Sequence, residues 1–428
     1  MVSRIPVSYR VFAADSSLYS SQLTTILRGT EGRFIARGGL MPDLDGAVTR
    51  TASTIPGLVD AVRVAAGAAD EVDQQARFPH EAVDALKQAQ LLSCGLPAEL
   101  GGQGFRIAEL SVIARALGTA CSAAGMVFAM HQTQALVLAK YARSGPAAEV
   151  ARSISANQSL IASATTESTT GGDLGSSTCA IVSEGDEVLL EKNAPVISYA
   201  EQADYIGATA RRHPDAAKND QVLLLCPAGD TDLKRTSTWD TMGFRGTCSP
   251  GYLLSTRTSA ANLIPADYAS ILATTMLPAS HTLWASVWLG IADAAYAKAR
   301  TVVRQAARKA PDKTVPQASV LADLTVTHQR FESMVLHEVL RYQSLAESGA
   351  DEATISFTVA MNNLKIAAST AVIDVVTEAL KIVGLNGYRE DHALTMGRLL
   401  RDAFGPQLMV SNERIRVNNA NLVLAYRG

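Results

Sequence analysis

Few side chains in this 428-residue chain combine a reactive group with an apolar setting. His131 stands in the apolar helical run around Met130-His131-Gln132, and His281 stands beside Trp284 and Trp288. A histidine so placed either donates a proton and orients a polar ligand, or is a core residue whose ring nitrogens are already satisfied. His80, His213, His328, His337 and His392 read instead as surface or capping groups. Glu413 lies in the polar run Ser411-Asn412-Glu413-Arg414. It could act as a carboxylate base, or pair with Arg414 or Arg416 on a surface turn. Gly171-Gly172 would let the backbone approach a ligand with no Cβ in the way, or would serve a turn of positive φ. Cys94, Cys121, Cys179, Cys226 and Cys248 are scattered, with no CxxC spacing. Neither a metal cluster nor a disulfide scaffold is expected, and a reducing, cytoplasmic setting is.

The elements that must position these groups follow from composition and period. Hydrophobic residues make up 47% of the chain and charged residues 18%, enough apolar surface for a large core. The 38 Lys+Arg nearly cancel 41 Asp+Glu, which argues against a nucleic-acid partner. No apolar run reaches the roughly 18 residues a membrane span needs, so no membrane insertion is expected. Residues 1–50 carry arginine, Ser, Thr and Gly without a sustained period. They are expected to be a loose extension or a targeting segment outside the fold. Residues 51–158 read as helical: Ala82, Ala85, Leu86 and Ala89 fall at i, i+3, i+4 and i+7. Residues 159–266 change to short alternating or apolar runs such as Val188–Glu191 and Gln221–Cys226, bounded by turn residues. Residues 267–428 return to long helical runs, Leu283–Ala310, Gln317–Ser348 and Ser356–Val383, with two shorter ones behind them. Long helices with short connections predict an up-down bundle.

Four segments in this α-β-α frame carry a resemblance. They are Phe78-Pro79 with Leu96-Pro97-Ala-Glu-Leu-Gly-Gly-Gln-Gly104; Thr165-Thr166-Glu167 through Gly171-Gly172-Asp173; Gly243-Phe-Arg245-Gly-Thr-Cys-Ser249; and Ile382-Val-Gly384-Leu-Asn-Gly387-Tyr388 with Arg401-Asp402-Ala403. Together, over residues 55–425, they resemble the acyl-CoA dehydrogenase family. The resemblance implies an α+β fold with a helical N-terminal domain, a middle β-barrel-like domain and a C-terminal four-helix bundle. It also implies a flavin, FAD with FMN possible. Thr166 takes the place of the threonine at the pyrimidine edge, and Gly171 and Gly172 allow close backbone approach. Val196-Ile197-Ser198 stands at a second flavin element, where the Ser198 hydroxyl can reach flavin N5. Gly384 and Gly387 keep a loop the family presents to a partner subunit, so a homodimer or homotetramer is implied.

The resemblance breaks at the base. The family glutamate expected seven residues past Ala403 falls on Val410, and the alternative position near the start of the first bundle helix falls on Ser280. Neither is a carboxylate. The first expectation is flavin-dependent α,β-dehydrogenation of an acyl thioester, on CoA or an acyl carrier protein, with Glu413 as a displaced base. The second is a reduced-flavin, O₂-dependent monooxygenase of the same fold, with His131 and His281 in the pocket. The third is a non-catalytic ligand-binding relative.

Overall fold

The computed structural model describes residues 54–169, 173–309, 315–349 and 353–425. The expected N-terminal extension, residues 1–50, and Gly171 and Gly172 lie outside them. Helix α1 (Leu58–Gln74) buries Leu58, Ala61, Ala65, Ala69 and Val72 along one stripe, and α2 (His80–Gln88) buries Ala82, Val83 and Leu86. The Pro97–Gly104 run forms a 3₁₀ turn and loop. Helix α3 (Ile107–Ala120) starts where the Arg106 N–H donates to Glu109 Oε2 (3.0 Å), a first-turn carboxylate that satisfies an otherwise unpaired backbone donor. Helix α4 (Ser122–Tyr141) is buried on nearly all sides, as its even coat of apolar and small residues requires. Helix α5 (Gly145–Asn157) comes next, with Pro146 in its first turn.

Seven strands form the middle of the chain: β1 (Ile161–Ala164), β2 (Val182–Glu184), β3 (Glu187–Ala194), β4 (Tyr205–Arg211), β5 (Gln221–Pro227), β6 (Thr231–Arg235) and β7 (Tyr252–Ser259). They form two sheets, ordered β1-β4-β5 and β2-β3-β7-β6. Among the named strands β1 and β4 pair in parallel, and the other ladders are antiparallel. The middle domain is thus a two-sheet domain without a closed barrel, in keeping with the α+β fold expected. Among the described residues the ladders do not join into a ring, because three and four strands pair within separate sheets and each sheet keeps its edges. Strand β7 alternates buried and exposed residues, as a sheet with one packed face must.

The chain then returns to helix. The short α6 (Tyr268–Ile271) runs through a π turn (Leu272–Met276) into α7 (Leu277–Lys309). Helices α8 (Gln317–Ser348), α9 (Ile355–Val383), α10 (Leu385–Tyr388), α11 (Gly397–Leu408) and α12 (Asn412–Ala425) complete the bundle. Two features lock α3 to the bundle. Glycines let the backbones of α3 and α7 touch: a Cβ on Gly290 would lie 2.2 Å from Arg115 O, and one on Gly118 2.4 Å from Val287 O. Beside this contact the buried Arg115 guanidinium donates to Asp293 (2.6 and 2.9 Å) and to Glu332 (2.7 Å), while His328 bonds Asp293 (2.7 Å). One ionic cluster thereby ties α3, α7 and α8.

Arg401 and Asp402 are neighbours in the Arg401-Asp402-Ala403 run but do not pair with each other. Instead they face different partners. Arg401 pairs with Asp73 and Glu390, and Asp402 accepts from the Ser122 hydroxyl and from the Phe244 N–H (2.6 Å). Asp402 therefore fastens the Gly243–Ser249 turn to α4 and α11.

Candidate functional site

A cavity of about 1220 Å³ lies where α4, the ends of the sheet strands, the Gly243–Ser249 turn, the α6–α7 helix and the α11–α12 junction meet. It exceeds the roughly 300–1000 Å³ of a pocket for one small molecule. One wall is the α6–π–α7 helix, which presents Tyr268, Leu272, Met276, Ser280 and Trp284 at four-residue steps. An ideal α-helix of 3.6 residues per turn drifts about 40° with each such step, or about 160° over the sixteen residues. The π turn, with its longer i→i+5 hydrogen-bonded loop, takes up about 100° of that drift and keeps both Tyr268 and Trp284 on the cavity side.

The sequence candidates separate here. His281 lines the cavity and is 4% exposed. Its Nδ1 donates to Met361 O (3.0 Å), so the neutral ring keeps an acceptor lone pair at Nε2. Burial, aided by the Lys365 charge, pushes His281 down to about 3. His131 does not line the cavity. Its Nδ1 accepts from the Ile161 N–H (3.0 Å) and its Nε2 donates to Leu92 O (2.7 Å), which pins α4 to β1 and to the loop after α2. Burial pushes His131 down to about 4. Glu413 is not brought to the cavity either: its side chain is 80% exposed and pairs with Arg416.

Val410 and Ser280, the two places where a family base is absent, both line the cavity. Val410 has φ +47°. Its carbonyl accepts from the fully buried Lys365 Nζ (2.7 Å), which also donates to Asn412 Oδ1 (2.7 Å). Burial and the nearby Arg416 push Lys365 down to about 7. Ser280 donates back to Leu277 O and Met276 O within its own helix.

Among the described residues two carboxylates line the cavity, Glu167 and Asp173, and both are committed to the sheet side. Burial pushes Glu167 up, but hydrogen bonds from Ser177 and Thr178 and the charge of buried Lys192 (3.0 Å) hold it at about 2. Asp173 accepts from the Gly175 N–H (2.9 Å) and the Ser176 hydroxyl (2.8 Å). Thr166, Val196 and Ser198 line the cavity, whereas Ile197 is fully buried in the core. Ser198 accepts from Ser249 (2.9 Å), which leaves its own proton for a group in the cavity. Gly384, at φ +68°, and Gly387 are not in the lining. They flank the exposed tip of Leu385 and Tyr388.

Three cavity-lining groups that sequence reasoning did not single out are buried and unpaired: Gln134 Oε1, Tyr268 Oη and Trp284 Nε1. Gln134 packs against Gly207 of β4, where a Cβ would lie 2.7 Å from its Oε1. Its amide already donates to Ser163 (2.9 Å). No local motif marks these residues, but the four-residue repeat from Tyr268 to Trp284 is visible in the sequence.

The two neutral histidines make acid sensitivity predictable. Their folded values, about 4 and about 3, lie below the unfolded value of about 6.5. Below pH 6.5 the unfolded chain takes up protons that the folded chain refuses, so stability falls as pH drops toward 4. At pH 5 each histidine accounts for a loss of about 2 kcal/mol relative to pH 7. Urea unfolding at both pH values checks this, and a midpoint that does not move contradicts it.

Comparison with known proteins places this geometry. Residues 61–168 match the family model "Acyl-CoA dehydrogenase, N-terminal domain", and residues 287–409 match "Acyl-CoA dehydrogenase, C-terminal domain". Cyclohex-1-ene-1-carbonyl-CoA dehydrogenase of Geobacter metallireducens is 24% identical over 363 residues, 83% of this chain and 92% of that protein. FMN-bound TdsC of Paenibacillus sp. A11-2 superposes with TM-score 0.76 at 18% identity, over 88% of this chain and 98% of that one. Butyryl-CoA dehydrogenase of Megasphaera elsdenii superposes with TM-score 0.73 at 18% identity, over 91% and 100%.

Proposed function

The chain belongs to the acyl-CoA dehydrogenase family, and from that premise we propose that it is a flavin-dependent monooxygenase of this fold. The observation that carries the reading is the absence of a free carboxylate from the helical walls of the cavity, among the described residues. Dehydrogenation of a thioester needs a base for its weakly acidic α-proton. Val410 and Ser280 cannot supply one, Glu413 faces solvent, and Glu167 and Asp173 are consumed by their own partners. His281 is the remaining basic atom, and its low affinity for protons matches the task poorly.

The residues present fit a flavin. The cavity has room for a flavin head and a second reactant, and the Ser198 proton is available to a ring acceptor. Thr166, Val196 and Ser198 are the proposed flavin contacts. FAD is the proposed form, with FMN the alternative that titration separates. When bound and reduced, the flavin supplies two electrons to O₂, so that one oxygen atom enters the substrate and the other leaves as water. The chain's own part is placement: Ser198 holds the flavin edge, the α6–α7 wall holds the substrate, and the apolar lining excludes bulk water. The exposed Leu385, Tyr388, Leu408 and Leu424 support a homodimer or homotetramer.

The names of the sequence relatives favour a second reading, α,β-dehydrogenation of an acyl thioester on CoA or a carrier protein. One experiment separates the two. Protein loaded with FAD or FMN is mixed anaerobically with butyryl-CoA and longer acyl-CoAs. In parallel, the reduced form is given O₂ with aromatic amines, thioethers and phenols. No bleaching, together with a product heavier by one oxygen atom, is expected. Rapid bleaching of the flavin band by any thioester would overturn the proposal.

A further inference from the structure

We infer that Thr247 and Ser249 are positioning residues: with Ser198 they form a one-way chain of three hydroxyls that leaves its last proton for the cavity, so that the site favours oxidised flavin over reduced. The inference rests on the reading of Ser198 as a flavin contact. Each hydroxyl has one proton to give. Ser249, 1% exposed, gives its proton to Ser198 Oγ (2.9 Å), and Thr247 O, at 3.2 Å, is its longer alternative. Thr247 Oγ1 lies 2.8 Å from Ser249 Oγ. Because the Ser249 proton is spent on Ser198, Thr247 is the donor there. The other acceptor within reach of Thr247 is Phe244 O (2.9 Å), which is already satisfied by the Thr247 N–H (3.0 Å) and by Trp239 Nε1 (3.2 Å). The protons therefore run one way, from Thr247 to Ser249 to Ser198 to the cavity, and each bond polarises the next.

The backbone holds this chain in register. The Tyr199 N–H donates to Thr247 O (2.9 Å) and the Ile197 N–H to Pro250 O (3.1 Å), which keeps Ser198 opposite Ser249. Tyr199, Phe244 and Cys248 take φ of +42°, +49° and +43°, the left-handed region that is costly for residues with a side chain. Such strain gathers where a site is preorganised, and here it flanks the hydroxyls on both segments. Oxidised flavin presents an acceptor at N5, where reduced flavin carries an N–H. A proton held toward the ring suits the first and opposes the second.

Oxidised FMN and FAD are titrated by calorimetry into the flavin-free full chain, and the potential of the bound flavin is read against a reference dye. Ser249→Ala is expected to bind oxidised flavin about tenfold more weakly, the effect of one buried hydrogen bond, and to raise the potential by about 30 mV, the same tenfold for a two-electron couple. Ser198→Ala is expected to do the same. In that background Ser249→Ala is expected to change nothing further, because Ser249 acts through Ser198. Thr247→Val is the second variant should Ser249→Ala fail to fold. It is expected to move both readouts in the same direction, and Thr247→Ser, which keeps the hydroxyl, to restore them. Unchanged affinity and potential in the folded variant, losses that add in the double variant, a Thr247→Ser protein that behaves as Thr247→Val does, or no flavin binding at all overturns the inference. Bleaching by a thioester would sink the monooxygenase proposal and leave the hydroxyl chain standing, whereas oxygenation with additive losses would do the reverse.

Discussion

Gly290→Val is expected to leave little folded protein, with a loss beyond about 4 kcal/mol. The reason is what a side chain at position 290 would strike. A Cβ there lies 2.2 Å from Arg115 O, 2.7 Å from Thr119 N and 2.9 Å from Gly118 C. All three are backbone atoms of α3, and none can rotate out of the way. Gly118 and Val287 form the reciprocal contact, so the two helices meet main chain to main chain and could relieve the clash only by separating. Separation would move α7, whose neighbouring turns carry His281 and Trp284, and so would distort the cavity before it unfolded the chain. Soluble yield and urea unfolding measure the effect. Gly67→Ala is the control: nothing lies within 4 Å of its added Cβ, and in the middle of α1 alanine is expected to gain up to about 1 kcal/mol. A folded Gly290→Val protein with normal stability would show that the α3–α7 contact is looser than described.

Arg115→Leu is expected to cost about 3–5 kcal/mol. The Arg115 side chain is 6% exposed, and it faces Asp293 and Glu332, whose side chains are 16% and 5% exposed. Leucine would leave two buried carboxylates without their cation, and His328 alone cannot serve both. The penalty comes from stranding those charges, not from the worth of the ion pairs themselves. Replacing Arg115, Asp293 and Glu332 together with apolar residues of similar volume should therefore recover most of the loss. Urea midpoints of the single and triple variants test both halves of this argument. A single variant that loses less than about 1 kcal/mol would show that water reaches the cluster.

The architecture was legible in the sequence because it rests on local period. Residues such as Ala82, Ala85, Leu86 and Ala89 announce one helical face, and β7 alternates as a half-packed strand does. Counting from Ala403 reached Val410, and Val410 does line the cavity. What could not be read depends on what packs across from a residue. His131 and His281 sit in similar apolar helices, yet one has both ring nitrogens bonded to backbone and the other keeps one for the cavity. Glu413 lies three residues past Val410, but its place on α12 turns it outward to Arg416. Lys365 holds the Val410 carbonyl from 45 residues away, and no spacing rule predicts that contact. The strands likewise showed their faces but not their partners, so the order of the two sheets could not be read.

The π turn at Leu272–Met276 has a consequence for how this cavity could change over time. Deleting one residue would keep the phase, whereas winding the same residues as a plain α-helix would swing everything before the turn by about 100° relative to the turns of α7 beyond it. Tyr268 would leave the wall while Ser280, His281 and Trp284 stayed in place. The relative aim of the two halves of the wall is thus stored as one residue of helix length, outside any side chain that touches a ligand. The choice between π and α winding here is a coarse steering of specificity, and point substitutions at Tyr268 or Trp284 are the fine one.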